Sequence, residues 1–450
     1  MTSIYLIPNP DHPYAERIIS EIWKKFGYKA FCFFTDVRWG FDNSRFYPFL
    51  NNSEMVEGYK GVPFDKINDF ALYIKQNYDC KGVIPWQETT LEACADILDI
   101  IGNDWIPTDT LRIFRNKAAV KKHLRKQNAD LVTPSYEISC LDDLDRLDLP
   151  KQFVIKPADG VSNQDIGFFQ KDHHEQAVKD YFGSAKKFKN FILEPTLVGE
   201  EYAINGQIDQ SGQVEIYSIT HYERRAVGNK PNMYYYNWFL HYNDPAFETL
   251  TKYTKEVIAV SGLRRSPFHM EVIIDNDLGP KLIEIGARLV GDMLLFPTEE
   301  IHNYSFDPFK NAVHYYLSSR PLGASRLNWQ FYNSKTCVQL YGVAHSPYHI
   351  WSKNAFKQVE KLPYFRRWVV NPPNGTFIDI TTSLNNCPYS CHLFAEQNQE
   401  DLTPKLEKIR ETLSPKSTHL FQKVFVYSRS IFKKIKLRIV FELKKSSYLF

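Results

Sequence analysis

The sequence predicts a multidomain protein of α/β and α+β class: an N-terminal doubly wound α/β domain, a larger α+β body, a small C-terminal α+β piece and a basic helical tail. Three observations lead there. Apolar strand runs alternate with amphipathic helices over roughly the first 110 residues, the pattern of a small sheet flanked by helices. From about residue 149 the strand runs instead follow one another with turn residues between them, as in an antiparallel sheet. The chain has 450 residues, 43% of them hydrophobic and 24% charged, enough for two or three cores of ordinary size.

The elements are read in order. "TSIYLIP" at 2–8 is a buried strand, and "YAERIISEIWKKFG" follows as an amphipathic helix stopped by Gly27. "KAFCFFTD", "FDKINDFALYIKQNY", "CKGVIPWQ" and "TTLEACADILDIIG" then repeat strand and helix twice, and Pro107 and Thr108 mark the exit. "NKAAVKKHLRKQ" at 116–127 is a helix, with extended pieces through "TPSYEIS" and "LPKQFVIKPADGVSNQDIGFF" after it. "FILEPTLVGEEYAINGQI" and "QVEIYSITHYERR" read as consecutive antiparallel strands, followed by a helix over 246–262. Beyond about residue 323 come short strands, "TCVQLYGVAH" and "GTFIDITT", and a helix near 401–413. The expected domains are therefore 1–112, 113–322, 323–415 and a tail over 416–450.

Composition excludes several classes. Seven cysteines without regular spacing argue against a disulfide framework and for a reducing, cytoplasmic setting. Cys387, Cys391 and His392 do not have zinc-site spacing. The N-terminus lacks a basic region followed by a long apolar core, and no run is long enough to span a membrane. Residues 414–450 hold nine Lys or Arg against the single Glu442, while the whole chain carries only +3. Basicity therefore belongs to the tail, and nucleic acid is not an expected partner. Phe425, Phe432, Ile435, Ile439 and Leu443 recur there at helical spacing among the lysines. An amphipathic basic helix of this kind fits peripheral contact with an anionic membrane or an acidic partner. A homo-oligomer is expected.

The most informative stretch is "FHMEVIIDNDLGPKLIEIGARLVGD", residues 268–292. Two runs rich in Val, Ile and Leu flank a turn, so it reads as a hairpin. Centring the turn between Asp277 and Leu278 sets Glu271 opposite Glu284. Two carboxylates so placed repel by about 4 kcal/mol at ~4 Å and an effective dielectric of ~20. A hard divalent cation relieves that repulsion, and Mg²⁺, which keeps waters and phosphate oxygens, needs only one or two protein carboxylates.

Three other segments carry chemistry. Lys156 leaves the apolar strand "FVIKP" into "ADGVSNQDIG", where small residues allow backbone N–H groups and an ammonium to converge on anionic oxygens. The GxxxxGK[ST] phosphate loop is absent. Lys117 opens the helix at 116–127. In "LEPTLVGEEYAI", Glu194 ends a strand and Glu200 and Glu201 follow a glycine, where a carboxylate accepts hydrogen bonds from ribose hydroxyls. The Tyr-rich segment 223–242, with Arg224 and Arg225, is either a lining of a substrate pocket or an aromatic-rich loop packed on the sheet.

Taken in order, these pieces resemble the ATP-grasp superfamily, over about residues 1–320. "VIPWQETTLEACADIL", "NKAAVKK" and "LIEIGARLVGD" look most like its carboxylate–amine ligases that join amino acids, such as bacterial L-amino-acid ligases. The resemblance implies two α+β subdomains clasping ATP. Lys117 and Lys156 would meet the nucleotide phosphates, and the 159–167 loop, with Gly160 and Ser162, would cover them. Glu194, Pro195, Thr196 and Leu197 would form the adenine-binding hinge, and Glu201 would take the ribose. Glu271 and Glu284 would hold Mg²⁺, or Mn²⁺ in its place, and Arg288 would face the reacting acyl phosphate. Gly286 departs from the superfamily's Glu-x-Asn, in which the Asn also binds metal. The expected activity is ATP-dependent amide formation between an amino acid or similar acid and an amine, through an acyl phosphate. Activation of bicarbonate or a non-amino-acid carboxylate, or a non-catalytic nucleotide-binding module, are the alternatives.

Overall fold

The computed structural model describes residues 1–413 except 11–13, 36–46, 103–106, 161–164, 186–187, 228–229, 292–293, 318–325, 351–352, 383 and 397–398. The basic tail expected over 416–450 and Ser162 of the covering loop lie outside these residues. Contacts group the chain into two compact units, Met1–Tyr222 with Trp238–Ser334, and Glu223–Asn237 with Lys335 onward.

The first unit begins with β1 (Ser3–Pro8), α1 (Tyr14–Phe26), β2 (Lys29–Phe34), β3 (Val56–Gly61), α2 (Ile67–Asn77), β4 (Asp79–Val83) and α3 (Leu91–Ile101). The four strands form a parallel sheet in the order β3-β2-β1-β4. Its central strands read as unbroken apolar runs because both faces are covered: Ile4, Leu6 and Ile7 in β1 are buried, as are Phe31, Cys32 and Phe33 in β2. Gly27 and Gly102 follow α1 and α3 at φ +66° and +84°, the left-handed backbone at which helices commonly end. The edge strand β3 was not expected from its sequence, VEGYKG.

Next come α4 (Thr108–Arg115), α5 (Lys117–Gln127), β5 (Tyr136–Ile138), β6 (Gln152–Pro157), β7 (Gly167–Gln170), α6 (His174–Ser184) and β8 (Phe191–Pro195). The strands pair antiparallel in the order β5-β8-β6-β7, around a core that includes Phe153, Ile155, Phe169, Val178, Phe191 and Leu193. Asn116 caps α5, its side chain accepting from the backbone N–H groups of Ala118 and Ala119. A small apolar cluster of Ala118, Ala158 and Ile192 holds the start of α5 against the end of β6. That contact brings the lysines of both elements together.

β9 (Gly199–Ile208), β10 (Val214–Val227), β11 (Lys230–Phe239), α7 (Pro245–Ser261), β12 (Ser266–Asp275) and β13 (Gly279–Gly286) follow. Within the first unit, β13, β12, β9 and the 214–222 part of β10 are successive antiparallel neighbours. Asp244 caps α7, Pro245 opens it, and Gly262 ends it at φ +77°. α8 (Leu295–Ile301), α9 (Pro308–Leu317) and α10 (Trp329–Asn333) complete the unit.

The second unit adds β14 (Thr336–Tyr341), β15 (Tyr348–His349), α11 (Asn354–Glu360), β16 (Phe365–Val370), β17 (Phe377–Ile378), β18 (Ser390–Ala395) and α12 (Gln399–Leu413). Here β11, β14, β18 and β16 are neighbours in that order. The Tyr-rich segment expected as a pocket lining or loop is thus largely strand. Arg224 lies over the Tyr234 ring, and Arg410 of α12 lies over Tyr235 and donates to the Tyr236 hydroxyl and the Tyr235 carbonyl. "GTFIDITT" supplies only the two residues of β17, while β16 and β18 were not foreseen. All seven cysteines are free thiols. No helix among the described residues is long and apolar enough to cross a membrane.

Candidate active site

The hairpin of β12 and β13 pairs Glu271 with Glu284 as expected, but its turn is centred on Asp277 rather than between Asp277 and Leu278. The register then slips by one between Glu271 and Val272, because Ile283 is an extra residue, and the turn closes on Asp275 opposite Gly279. Asp275 holds the tip by accepting the backbone N–H groups of Val198, Asp277 and Leu278 at 2.7, 3.1 and 3.0 Å. The Val198 bond ties the segment after Leu197 to the hairpin.

The repulsion expected between the two glutamates is already relieved in part by the chain itself. Lys117 Nζ lies 3.0 Å from Glu284 Oε2 and donates to the Gly160 carbonyl at 2.6 Å. Burial works against the charge on both groups, but their mutual attraction prevails. It raises the Lys117 pKa above the ordinary lysine value and lowers that of Glu284 to about 2. Glu271, buried, has His269 Nε2 at 3.6 Å from Oε1, and His269 is in turn held through Nδ1 by Asn205 at 2.8 Å. Alternation along β9 puts Glu201 on the same face as Ala203, the register partner of Glu271.

A second charged cluster lies where α5, β6 and β8 meet. Glu194, buried, accepts at Oε2 from Lys156 at 2.9 Å, and at Oε1 from Thr133 at 2.9 Å and from Lys121. Burial would raise the Glu194 pKa, but Lys121 and Lys156 hold it at about 2. For Lys121 burial dominates and lowers the pKa to about 8 despite Glu194. Beyond Glu194, the Thr196 N–H donates to the Gln152 carbonyl, and Pro195 pairs with Phe153, so the short stretch to Leu197 runs along the start of β6. At Gly160 an added Cβ would stand 3.0 Å from that of Pro157, so the turn after Lys156 is too close for a larger residue without a shift.

Arg288 is fastened by two groups. Its Nη2 lies 2.8 Å from Glu88 Oε2 and its Nη1 donates to the Leu289 carbonyl at 2.9 Å. Burial disfavours its charge, yet Glu88 more than offsets this and raises its pKa. A Cβ at Gly286 would meet the Arg288 side chain at 3.2 Å. The glycine that departs from Glu-x-Asn therefore leaves the space against which Arg288 packs. Glu88, Phe114, Lys117, Lys121, Leu282 and Glu284 line a small cavity beside these groups.

Two residues of the site were missed in the sequence: Lys121, one of six basic side chains between positions 117 and 126, and Glu88, in the segment "VIPWQETT" that drew attention only by resemblance. Of the predicted residues, Lys117, Gly160, Glu284 and Arg288 come together with Glu88, and Lys156 joins Glu194.

The hard-oxygen donor pair Glu271 and Glu284 suits Mg²⁺, whose other ligands are waters and phosphate oxygens. Among the described residues no three His, Cys, Asp or Glu side chains converge on one point as a complete protein cage would. Two carboxylates facing each other and sharing a metal with nucleotide phosphates is the arrangement these residues fit.

Residues 149–295 match the family model of the ATP-grasp domain. The chain carries an ATP-grasp domain. That span includes Lys156, Glu194, Glu201, Glu271, Glu284 and Arg288; Lys117 lies before it. Over 130 residues the chain is 35% identical to dapdiamide A synthase of Enterobacter agglomerans, a match covering 29% of each protein. The fold is similar along nearly the whole chain to L-amino acid ligase from Bacillus licheniformis, with a TM-score of 0.70, 18% identity, and coverage of 92% of this chain and 98% of that one. N5-carboxyaminoimidazole synthetase from Staphylococcus aureus, solved with ADP, follows the same fold with a TM-score of 0.64, 12% identity and coverage of 91% and 96%.

Proposed function

We propose that the chain is an ATP-dependent carboxylate–amine ligase that forms an amide between an amino acid, or a similar small acid, and an amine. The observation that carries this reading is the register pair Glu271–Glu284, with Lys117 on one carboxylate and Arg288 anchored two residues beyond the end of β13. In the ATP-grasp setting, the backbone of residues 194–197 takes the adenine edge, Glu201 the ribose, and Lys117 and Lys156 the phosphates, with the loop that includes Gly160 over them. A cover over the phosphates formed by the 159–167 loop would exclude water from the reacting groups.

The γ-phosphoryl group moves from ATP to the substrate carboxylate, releasing ADP and leaving an acyl phosphate. The amine attacks the acyl carbon, the C–O bond to phosphate breaks, and amide, inorganic phosphate and a proton are the products. Mg²⁺, when bound by Glu271 and Glu284, supplies charge neutralisation on the phosphates. Arg288, kept charged and aimed by Glu88, stabilises the oxyanion of the tetrahedral intermediate. The bicarbonate-activating alternative has no residue of its own in its favour. Gly286, which brings no third oxygen ligand, favours as a second reading a nucleotide binder without turnover.

Phosphate release from MgATP against all pairs of the twenty amino acids, with mass detection of products, tests both. A pair giving phosphate and a mass equal to the sum minus water establishes the ligase and its substrates. Nucleotide binding with no ADP formed from any acid and amine, carrier-bound and non-proteinogenic ones included, favours the silent module.

A further inference from the structure

Glu194 divides its two oxygens unequally. Oε1 accepts from Lys121 and from Thr133, and Oε2 accepts from Lys156. The two lysines differ in position. Lys121 sits inside α5, one turn after Lys117, and is 1% exposed. Lys156 is the next-to-last residue of β6, just before the turn through Ala158 and Gly160. Two cations on one buried carboxylate exceed what the carboxylate needs, so one of them is available to a further anion. A buried carboxylate left with no cation, in contrast, is strongly destabilising.

We propose that Lys121 is a positioning residue, the resident cation of Glu194, which keeps that carboxylate paired while Lys156 turns to the nucleotide phosphates. This rests on the ATP-dependent reading above. Thr133 assists by donating to the same oxygen, so Glu194 retains two donors when Lys156 leaves. Without Lys121, the departure of Lys156 would strand Glu194 with one neutral hydroxyl, and Lys156 would stay where it is.

The test is the dissociation constant of the full-length protein for adenylyl imidodiphosphate with Mg²⁺, by calorimetry, with a thermal melt for each variant. Lys121→Met is expected to weaken binding on the order of 30-fold, because Lys156 is then held on Glu194 and withheld from the phosphates. The double variant Lys121→Met/Glu194→Gln removes the cation together with the side-chain charge it neutralises and leaves the backbone of 194–197, the part assigned to the adenine, unchanged; it is expected to bind within about threefold of wild type. A purely structural role for Lys121 would not produce that rescue. Wild-type affinity in folded Lys121→Met overturns the proposal. So does a folded double variant that binds about 30-fold or more weaker than wild type, because Lys121 would then touch the nucleotide itself. If Lys121→Met does not fold, the double variant decides alone. Failure of the wild-type protein to bind the analogue is a separate outcome: it removes the ATP-dependent reading, and the proposal with it.

Discussion

The two charged clusters of the first unit use the same residue types in opposite ways. Around Glu194 the carboxylate is enclosed, 3% exposed, and meets two lysines and a threonine. At the hairpin the carboxylates are in excess: Glu284 keeps 22% of its side chain exposed and is matched by Lys117, while Glu271 has His269 at 3.6 Å and the more distant charge of Arg288, which Glu88 already pairs. The enclosed cluster has a cation to spare and the hairpin has an anion to spare. On the proposed function, phosphates carried by a metal ion would supply both, negative charge for the lysines and positive charge for the glutamates. The difference teaches that the same residue types can be arranged for opposite demands within one unit.

Breaking the hairpin pair should have the largest effect. Glu284→Gln keeps the size and one hydrogen-bond acceptor for Lys117 but removes the metal-ligating charge. ADP release is expected to fall at least ~1000-fold, by analogy with the loss of a group that acts on transition-state charge, with the melting transition retained. Full activity in this variant would mean the metal site lies elsewhere. Arg288→Lys comes next. It keeps the charge but loses the fork that engages Glu88 and the Leu289 carbonyl together, so kcat should drop roughly 10- to 100-fold. An unchanged kcat would separate Arg288 from the reaction.

Stability sharpens the contrast between the clusters. Glu194→Leu leaves Lys121 and Lys156 buried without their anion and should cost about 3–5 kcal/mol in urea denaturation. Lys117→Met leaves Glu284 with part of its surface in water and should cost less, about 1–3 kcal/mol. Equal losses would mean that the hairpin cluster is as enclosed as the other.

How much of this could be read from residues alone follows from the range of each signal. The hairpin was legible from its turn residues and apolar flanks, but the Glu271–Glu284 pairing holds because the bulge at Ile283, which alternation does not reveal, offsets a turn centred on Asp277 rather than between Asp277 and Leu278. Lys117 and Lys156 stood out because each sits at a break between patterned segments. Lys121 did not, because "KAAVKKHLRK" holds several cations and periodicity does not say which one turns inward to a carboxylate 73 positions later. Glu88 was invisible for the same reason, its partner being 200 positions away. Strand β3, with two glycines and a lysine among six residues, reads as a loop and owes its extended form to pairing with β2. Strand β11 looked like a loop because Lys230, Pro231 and Asn232 open it, and its tyrosines serve as platforms for Arg224 and Arg410.

The smallest expected effect is the dependence of stability on acid, and its sign distinguishes the clusters from ordinary surface pairs. Glu194 and Glu284 are both held at about 2, well under the ordinary carboxylate range. A carboxylate whose folded pKa is depressed binds fewer protons in the folded state than in the unfolded one. It therefore contributes stability that is present above its unfolded pKa, near 4.5, and is lost as pH falls through the folded value. Urea midpoints should be flat in this contribution above about pH 5 and decline from there toward pH 2. Because Glu194 is buried and Glu284 half-buried, added salt should leave much of the decline in place, most completely for Glu194, whereas exposed pairs are screened at an ionic strength of about 0.5 M. Glu194→Gln should make the decline shallower by removing one of the two titrating groups. A decline of unchanged slope in that variant would assign the acid sensitivity to carboxylates elsewhere and leave the enclosed cluster without a role in holding the fold at low pH.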